Sequence, residues 1–222
     1  MSVERKRKKL NPLSVIDISE ISSGVYYLKL ERTVDFIPGQ VIALAMQPEL
    51  EPRLYSIASG IKDDYIGILF DINPEGELTP QLASLSIGET VFASDPFGKF
   101  NCSPERAVWI ATGTGIAPFV SMVRSGRTDN VQLIHGARYL KSFFFSTLFK
   151  TELVSDYLRF CTAEAGDGVI SGRLTDYLRN KDDLSTDIKY YLCGSSQMVI
   201  DVREILLSKG IPFDHIIAEI YF

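Results

Sequence analysis

The sequence predicts two domains: an antiparallel β-barrel over residues 1–100, then an α/β domain built on a parallel sheet over residues 101–222. Three observations lead there. Up to Glu89–Ala93, β-rich runs recur at roughly ten to fifteen residues with glycine or proline between them, the rhythm of an antiparallel barrel or sandwich. After about Asn101, short apolar runs alternate with helical patterns, which implies a parallel sheet with helices on both faces. Third, Trp109–Phe119 reads as a buried strand, a tight turn at Thr112-Gly113-Thr114-Gly115, and a helix entry. The change of rhythm puts the boundary within Phe97–Pro104, where Gly98, Asn101 and Pro104 break the pattern.

In the first half, Val15–Ile18 alternates poorly, whereas Gly24–Leu30 is rich in β-formers. Pro38-Gly39 signals a turn before Gln40–Leu44. Arg53–Ala58, Tyr65–Ile72 and Glu89–Ala93 follow as strands. Thr79–Leu85 is the one helical pattern there, with Thr79 as its N-cap and Pro80 as its first residue. In the second half the strands are Ala107–Ala111, Val131–His135, Leu158–Cys161, Tyr190–Cys193 and Ile216–Ile220. Between them lie helical patterns at Ile116–Arg124, Lys141–Thr151, Arg173–Arg179 and Gln197–Lys209. The last is amphipathic, with Met198, Val202, Ile205 and Leu206 on one face against Arg203, Glu204 and Lys209.

A hydrophobic fraction of 45% and a charged fraction of 23% are those of a soluble globular protein. Five cations against one acid in residues 1–10 contribute +4 to a net charge of −5, so the rest carries −9. An acidic body argues against nucleic acid as a partner. Cys102, Cys161 and Cys193 form no C-x-x-C pair, so neither a metal nor an iron–sulfur site is expected. With no secretion signal, a reducing cytoplasmic setting is expected. The uncharged stretch 107–123 is interrupted by Gly113, Gly115 and Pro118 and falls short of a membrane span, so no membrane partner is expected. The basic run Arg5–Lys9 is either a solvated terminus or a docking arm for an acidic protein.

Two glycines at spacing two let the backbone bend and let a bulky anion approach the N-terminus of the following helix. Gly113 and Gly115 have that spacing, and Pro118 suits a first helical turn. The third glycine of the usual dinucleotide fingerprint and the Gly-Lys-Ser/Thr ending of a P-loop are absent, so this stretch alone is as readily an ordinary strand-to-helix turn. Along Arg53-Leu54-Tyr55-Ser56-Ile57-Ala58-Ser59, a cation, an aromatic face and hydroxyls would hold a planar, phosphorylated ring; the plain alternative is a surface Arg and Tyr on a barrel strand. Glu75-Gly76-Glu77-Leu78-Thr79 opens the short helix at a glycine turn. Tyr191-Leu192-Cys193-Gly194-Ser195 ends a strand in a glycine turn, and Ala218-Glu219-Ile220-Tyr221-Phe222 places an acid and two aromatics at the last strand.

Taken in order, Arg-x-Tyr-Ser, Gly-Thr-Gly-Ile-Ala-Pro, Cys-Gly and a terminal Glu-x-Tyr resemble the ferredoxin (or flavodoxin)–NADP⁺ reductase family, above all its bacterial branch. The resemblance runs from about residue 14 to Phe222. It implies that the barrel binds FAD and the α/β domain binds NADP(H). It implies that Arg53 pairs with the FAD pyrophosphate, Tyr55 (next to Leu54) stacks on one flavin face, and Ser56 hydrogen-bonds near flavin N5. Gly76, Leu78 and Thr79 would cradle the FAD pyrophosphate. Thr112, Gly113, Thr114 and Gly115 would hold the NADP pyrophosphate. Cys193 would sit beside the nicotinamide. Glu219 would lie near Ser56 and balance the proton at N5, which makes Ser56, Cys193 and Glu219 the implied catalytic set. Tyr221 would cover the other flavin face, with Phe222 as one further aromatic. Arg138 and Arg173 match two cations for the 2′-phosphate, while a third expected Arg is here Ala163.

The activity so implied is a flavoprotein oxidoreductase moving electrons between NADPH and a one-electron carrier, an acidic ferredoxin or flavodoxin. Two alternatives share the fold. A free-flavin or ferric-chelate reductase often lacks a terminal aromatic cover, which Tyr221-Phe222 supplies here. An electron-transfer subunit of a larger complex often carries an extra C-terminal cysteine cluster, which this sequence lacks.

Overall fold

The computed structural model describes residues 9–101 and 105–220, with the backbone alone at Ile220. Arg5–Lys8, Cys102, Tyr221 and Phe222 therefore lie outside the described residues.

The first sheet holds β1 (Asn11–Ser22), β2 (Val25–Glu31), β3 (Val41–Ala45), β4 (Arg53–Ser56), β5 (Tyr65–Asp71) and β6 (Thr90–Ala93). Their order is β4-β3-β6-β1-β2-β5, and every pairing is antiparallel. The sheet curls until its two edges touch. The contact is a single bridge, Ile57 opposite Ile68, beside an Ala58 N–H donated to the Gly67 carbonyl at 2.7 Å. The result is barrel-like and not fully laddered shut. Leu28, Leu30, Ile42, Leu44, Ile57, Ile68 and Phe70 fill the interior, the apolar side of each alternating strand. The weak alternation at Val15–Ile18 has a structural cause. β1 serves β6 with its first residues and β2 with the rest, and its register against β2 shifts between Val15 and Asp17. An extra residue at such a shift interrupts the period of two.

The short helix α1 spans Leu78–Ala83 and so starts before the expected cap. Thr79 is not the N-cap. Its hydroxyl accepts the Asn73 N–H at 2.8 Å, tying the helix back to the end of β5, and Glu77 occupies the cap position without a side-chain bond. Pro80 is consequently the third helical residue.

The second sheet is parallel throughout. It comprises β7 (Ala107–Thr112), β8 (Val131–Ala137), β9 (Tyr157–Cys161), β10 (Ile170–Ser171), β11 (Lys189–Gly194) and β12 (Ile216–Ile220), in the order β10-β9-β8-β7-β11-β12. Helices α2 (Ala117–Arg124) and α3 (Ser146–Leu153) cover one face, burying Phe119, Val120 and Phe149. Helices α4 (Leu174–Asn180) and α5 (Ser196–Ser208) cover the other with Leu174, Leu178, Val202 and Leu206. α3 begins five residues later than its periodicity suggests. Leu140–Ser142 forms a 3₁₀ turn, and Phe145 takes a left-handed conformation (φ 56°) that places its ring against Tyr27 of β2, centroids 5.4 Å apart.

That ring contact belongs to a larger joint. One buried cluster combines Val25, Tyr27, Ala58 and Leu69 of the first sheet with Trp109, Phe119, Leu133 and Tyr191 of the second. Phe100, in the segment between the sheets, packs edge-on against Phe119 and Tyr191.

Candidate functional site

β7 sits between β8 on one side and β11 on the other, so the strand order reverses direction there. In open parallel sheets, ligands bind outside the carboxyl ends of strands at such a switch point. The ends in question are Thr112-Gly113 and Gly194-Ser195, the two glycine turns singled out in the sequence. They are pressed together. A Cβ on Gly115 would stand 2.4 Å from the Gly194 Cα, a distance no side chain tolerates. The Thr112 hydroxyl accepts the Ser195 N–H at 3.3 Å. Gly113 is left-handed (φ 57°), and a Cβ there would meet nothing within 4 Å. The loop therefore has one side locked to β11 and one side open. Gly113–Ile116 forms a 3₁₀ turn running into α2, with no side-chain cap at Thr112, so its leading N–H groups are left without a capping side chain.

β12 continues the site. Cys193 stands opposite Glu219 in the β11–β12 register. The thiol is fully buried, and burial first, then the Glu219 charge, pushes it well above its ordinary pKa. It stays a neutral thiol and contributes shape rather than a thiolate. Glu219 reaches across to the first sheet, where the Ser56 hydroxyl donates to its Oε2 at 3.4 Å. Ser56 is itself only 4% exposed. Gly98 lies beside the same carboxylate, since a Cβ on it would be 4.0 Å from Oε1.

Neighbouring residues of β4 alternate away from Ser56. Tyr55 turns towards the barrel core and meets Phe70 edge-on at 6.4 Å; burial raises its hydroxyl to about 12, against the opposing pull of Arg53. Arg53 is exposed, and among the described residues no carboxylate pairs with it. Leu54 is 45% exposed. Leu78 is the first residue of α1, and Gly76 lies in the turn before it, between β5 and the helix.

The remaining predicted cations lie at the carboxyl ends of β8 and before α4. Arg138 is exposed with its guanidinium over the Tyr139 ring at 5.3 Å, and Arg173 is the exposed N-cap residue of α4. Ala163 donates its N–H to the Arg138 carbonyl, and the Glu164 carboxylate accepts the Leu140 N–H at 2.6 Å. The structure thus gathers Ser56, Cys193 and Glu219 into one place and sets Thr112–Gly115 on the same edge of the sheet. Tyr221 and Phe222 fall outside the described residues. Among those residues no helix is long and apolar enough to cross a membrane, and no cluster of metal-ligating side chains occurs.

A model of the oxidoreductase NAD-binding domain matches residues 109–204. A ferredoxin–NADP reductase A from Sorangium cellulosum is 27% identical, with 89% of this chain and 82% of the relative aligned. A probable dihydroorotate dehydrogenase B (NAD⁺) electron transfer subunit from Pyrococcus abyssi is 30% identical over 84% of this chain and 70% of its own. Among solved structures, a ferredoxin NADP⁺ reductase from Neisseria gonorrhoeae, with bound FAD and NADP, superposes at a TM-score of 0.87 over 96% of this chain and 99% of its own, at 21% identity.

The chain belongs to the ferredoxin–NADP⁺ reductase family.

Relatives within the family differ in role. The toluate 1,2-dioxygenase electron transfer component of Pseudomonas putida, 27% identical, is longer, and this chain spans 63% of it. With the third glycine absent, the close backbone approach at this turn is made by Gly115 on Gly194. Gly194 and Gly98 were not among the residues assigned to the site from sequence. The signal for Gly194 was present in the Cys-Gly strand end, but only the fold shows which backbone it must accommodate. Gly98 carried no signal beyond that of a chain breaker.

Proposed function

We propose that this chain is an FAD-dependent oxidoreductase that passes electrons between NADPH and a one-electron carrier, a ferredoxin or flavodoxin. The observation that carries the reading is the Ser56–Glu219 contact beside Cys193, which joins the strand end of the first sheet to the last strand of the second. The residues fit both groups. Arg53 offers a guanidinium that no carboxylate pairs with among the described residues, which suits a diphosphate. Tyr55, only partly buried, offers aromatic surface, and Leu78 and Thr79 at the start of α1 offer backbone N–H groups for the same diphosphate, while the Gly76 N–H is taken by the Asn73 carbonyl at 3.0 Å and leaves that glycine a turn-forming part. Gly113 leaves open the space that a Cβ would fill, which suits the pyrophosphate of the nicotinamide dinucleotide. Arg138 and Arg173 supply charge for a 2′-phosphate, and Ala163 leaves that set one cation short.

When bound, FAD supplies the two-electron to one-electron exchange, which no side chain here can perform. The protein's own part is positional. The Ser56 hydroxyl and the Glu219 carboxylate hold one exchangeable proton between the two domains, and beside a bound flavin this pair would accept or release the proton that reduction requires. Cys193 and Ser56 are buried there, while the Glu219 carboxylate keeps partial access to solvent. Tyr221 would cover a flavin face.

An absorbance spectrum of the purified protein, followed by anaerobic titration with NADPH and with NADH, tests the reading. A flavin band bleached at far lower NADPH than NADH supports it, and onward reduction of cytochrome c through added ferredoxin or flavodoxin supports the carrier. A colourless protein that reduces only added riboflavin overturns it in favour of a free-flavin reductase. A second reading, a subunit serving one dedicated enzyme, is favoured by the electron transfer components among the relatives. Co-purification of a stoichiometric partner would select it.

A further inference from the structure

The two domains are also fastened just beyond the Ser56 strand end, where the loop after β4 meets the carboxyl end of α2. At the Gly60–Asp63 loop, which follows β4, the Asp63 carboxylate accepts the Gly60 N–H at 2.7 Å and a guanidinium N–H of Arg124 at 2.8 Å. Arg124 donates also to the Tyr65 hydroxyl at 3.0 Å. The Ile61 N–H reaches the Ser125 hydroxyl at 3.1 Å. Gly60 lies so close to α2 that a Cβ on it would stand 2.7 Å from the Arg124 carbonyl oxygen. The loop is itself held from behind, because Arg32, the residue after β2, donates to the carbonyls of Ile61 and Asp63 at 2.7 and 2.8 Å.

Arg124 is the last residue of α2, and the Gly113–Ile116 turn leads directly into the first. Ala117–Val123 are all buried, so α2 is a short rod of about 12 Å with no soft side. Its amino end is locked to β11 through Gly115 on Gly194, and its carboxyl end is locked to the barrel through the clasp. The barrel strand that runs into the clasp loop is the one bearing Tyr55 and Ser56. The same rod therefore links the loop proposed to hold the dinucleotide to the strand proposed to hold the flavin.

We propose that Arg124, through Asp63, is a positioning residue: it sets the spacing between the two cofactor-bearing domains and so governs the rate of hydride transfer more than the affinity for the nucleotide. The inference rests on the proposed function above. Transfer requires near-contact geometry, and a displacement of about 1 Å costs on the order of a hundredfold in rate, whereas the groups that would touch the nucleotide are unaltered by a change at the other end of α2.

The test is anaerobic stopped-flow reduction of the flavin-loaded full chain by NADPH. Arg124→Met keeps the aliphatic stem against the loop and removes the charge; Asp63→Asn removes the other partner. Each is expected to lower the limiting rate roughly tenfold with less than about a twofold change in the NADPH dissociation constant, and the double variant should be no slower than either alone. Arg124→Lys should recover most of the rate. Gly60→Ala, which wedges the clasp open with both charges in place, should slow reduction in the same way. Limiting rates unchanged in both Arg124→Met and Gly60→Ala overturn the inference, as does a loss that merely tracks lost FAD. If NADPH does not reduce the wild-type flavin, the proposed function fails and this inference with it; if wild-type reduction is normal and the variants match it, the inference alone fails.

Discussion

The Ser56 hydroxyl meets a carboxylate that lies 163 residues further along the chain. A hydrogen bond to a charged acceptor is among the stronger kinds, but at 3.4 Å this one is at the long end and holds the domains together only weakly; the role proposed for it is to place a proton. Ser56→Ala is accordingly expected to slow flavin reduction by roughly tenfold or more while FAD remains bound, in single-turnover measurements. Equal rates in the variant would remove Ser56 from the catalytic set. A second residue acts on stability. His135 is fully buried; its Nδ1 lies 2.9 Å from the Tyr157 hydroxyl and its Nε2 has no partner. Burial first, and then Arg159, push its pKa down to about 3. The folded state therefore keeps the imidazole neutral, while the unfolded chain takes up a proton below its ordinary value of about 6.5. The stability this residue contributes is fully present above that value and is lost as pH falls towards 3. Between pH 7 and pH 5 the loss is about 2 kcal/mol. Denaturant midpoints of the wild type and His135→Gln at the two pH values should show the drop shrinking by about that amount in the variant.

Among the elements, the β7–α2 turn is where local and tertiary demands are most distinct. Gly113 needs its left-handed backbone, whereas Gly115 needs the absence of a side chain, since Gly194 occupies the space. The two substitutions should differ accordingly. Gly113→Ala strains φ by about 1 kcal/mol, with room for the methyl group. Gly115→Ala must push β11 away from the loop and is expected to cost about 1–3 kcal/mol and also to weaken dinucleotide binding. Chemical denaturation together with nucleotide titration of both variants separates these effects; similar costs would mean that the loop yields more easily than its packing indicates. The helices show how far periodicity reaches. α5 agrees with its amphipathic pattern within a residue, and Ser195 caps it by accepting the Met198 N–H. α1 and α3 departed from theirs because Thr79 is engaged by Asn73 and Phe145 by Tyr27, partners that neither sequence window contains.

For the molecule as a whole, the joint cluster decides behaviour. Tyr27, Ala58 and Leu69 share one apolar core with Trp109, Phe119 and Tyr191, so neither sheet can unfold without exposing buried surface of the other. The two domains are expected to unfold in one cooperative transition. Fluorescence of Trp109, which lies in that core, should coincide with far-UV circular dichroism through the denaturant transition. Two separated transitions would show that the joint contributes little.

The chain's own order of residues determined the two rhythms, antiparallel then parallel, because side-chain alternation and helical periodicity are local properties written in consecutive positions. It determined where the sharp turns fall for the same reason, as glycines at spacing two and a strand ending in Cys-Gly break the local pattern. Legible too, by resemblance, was that Ser56 and Glu219 belong together. What the tertiary structure alone decided is how the pieces meet: the edge bridge at Ile57–Ile68, the contact of Gly115 with Gly194, and the clasp of Arg124 on Asp63. Each depends on two stretches that neither periodicity nor composition relates, and on distances to within a fraction of an ångström. Only the packing of both sheets around a shared core brings such stretches to one place.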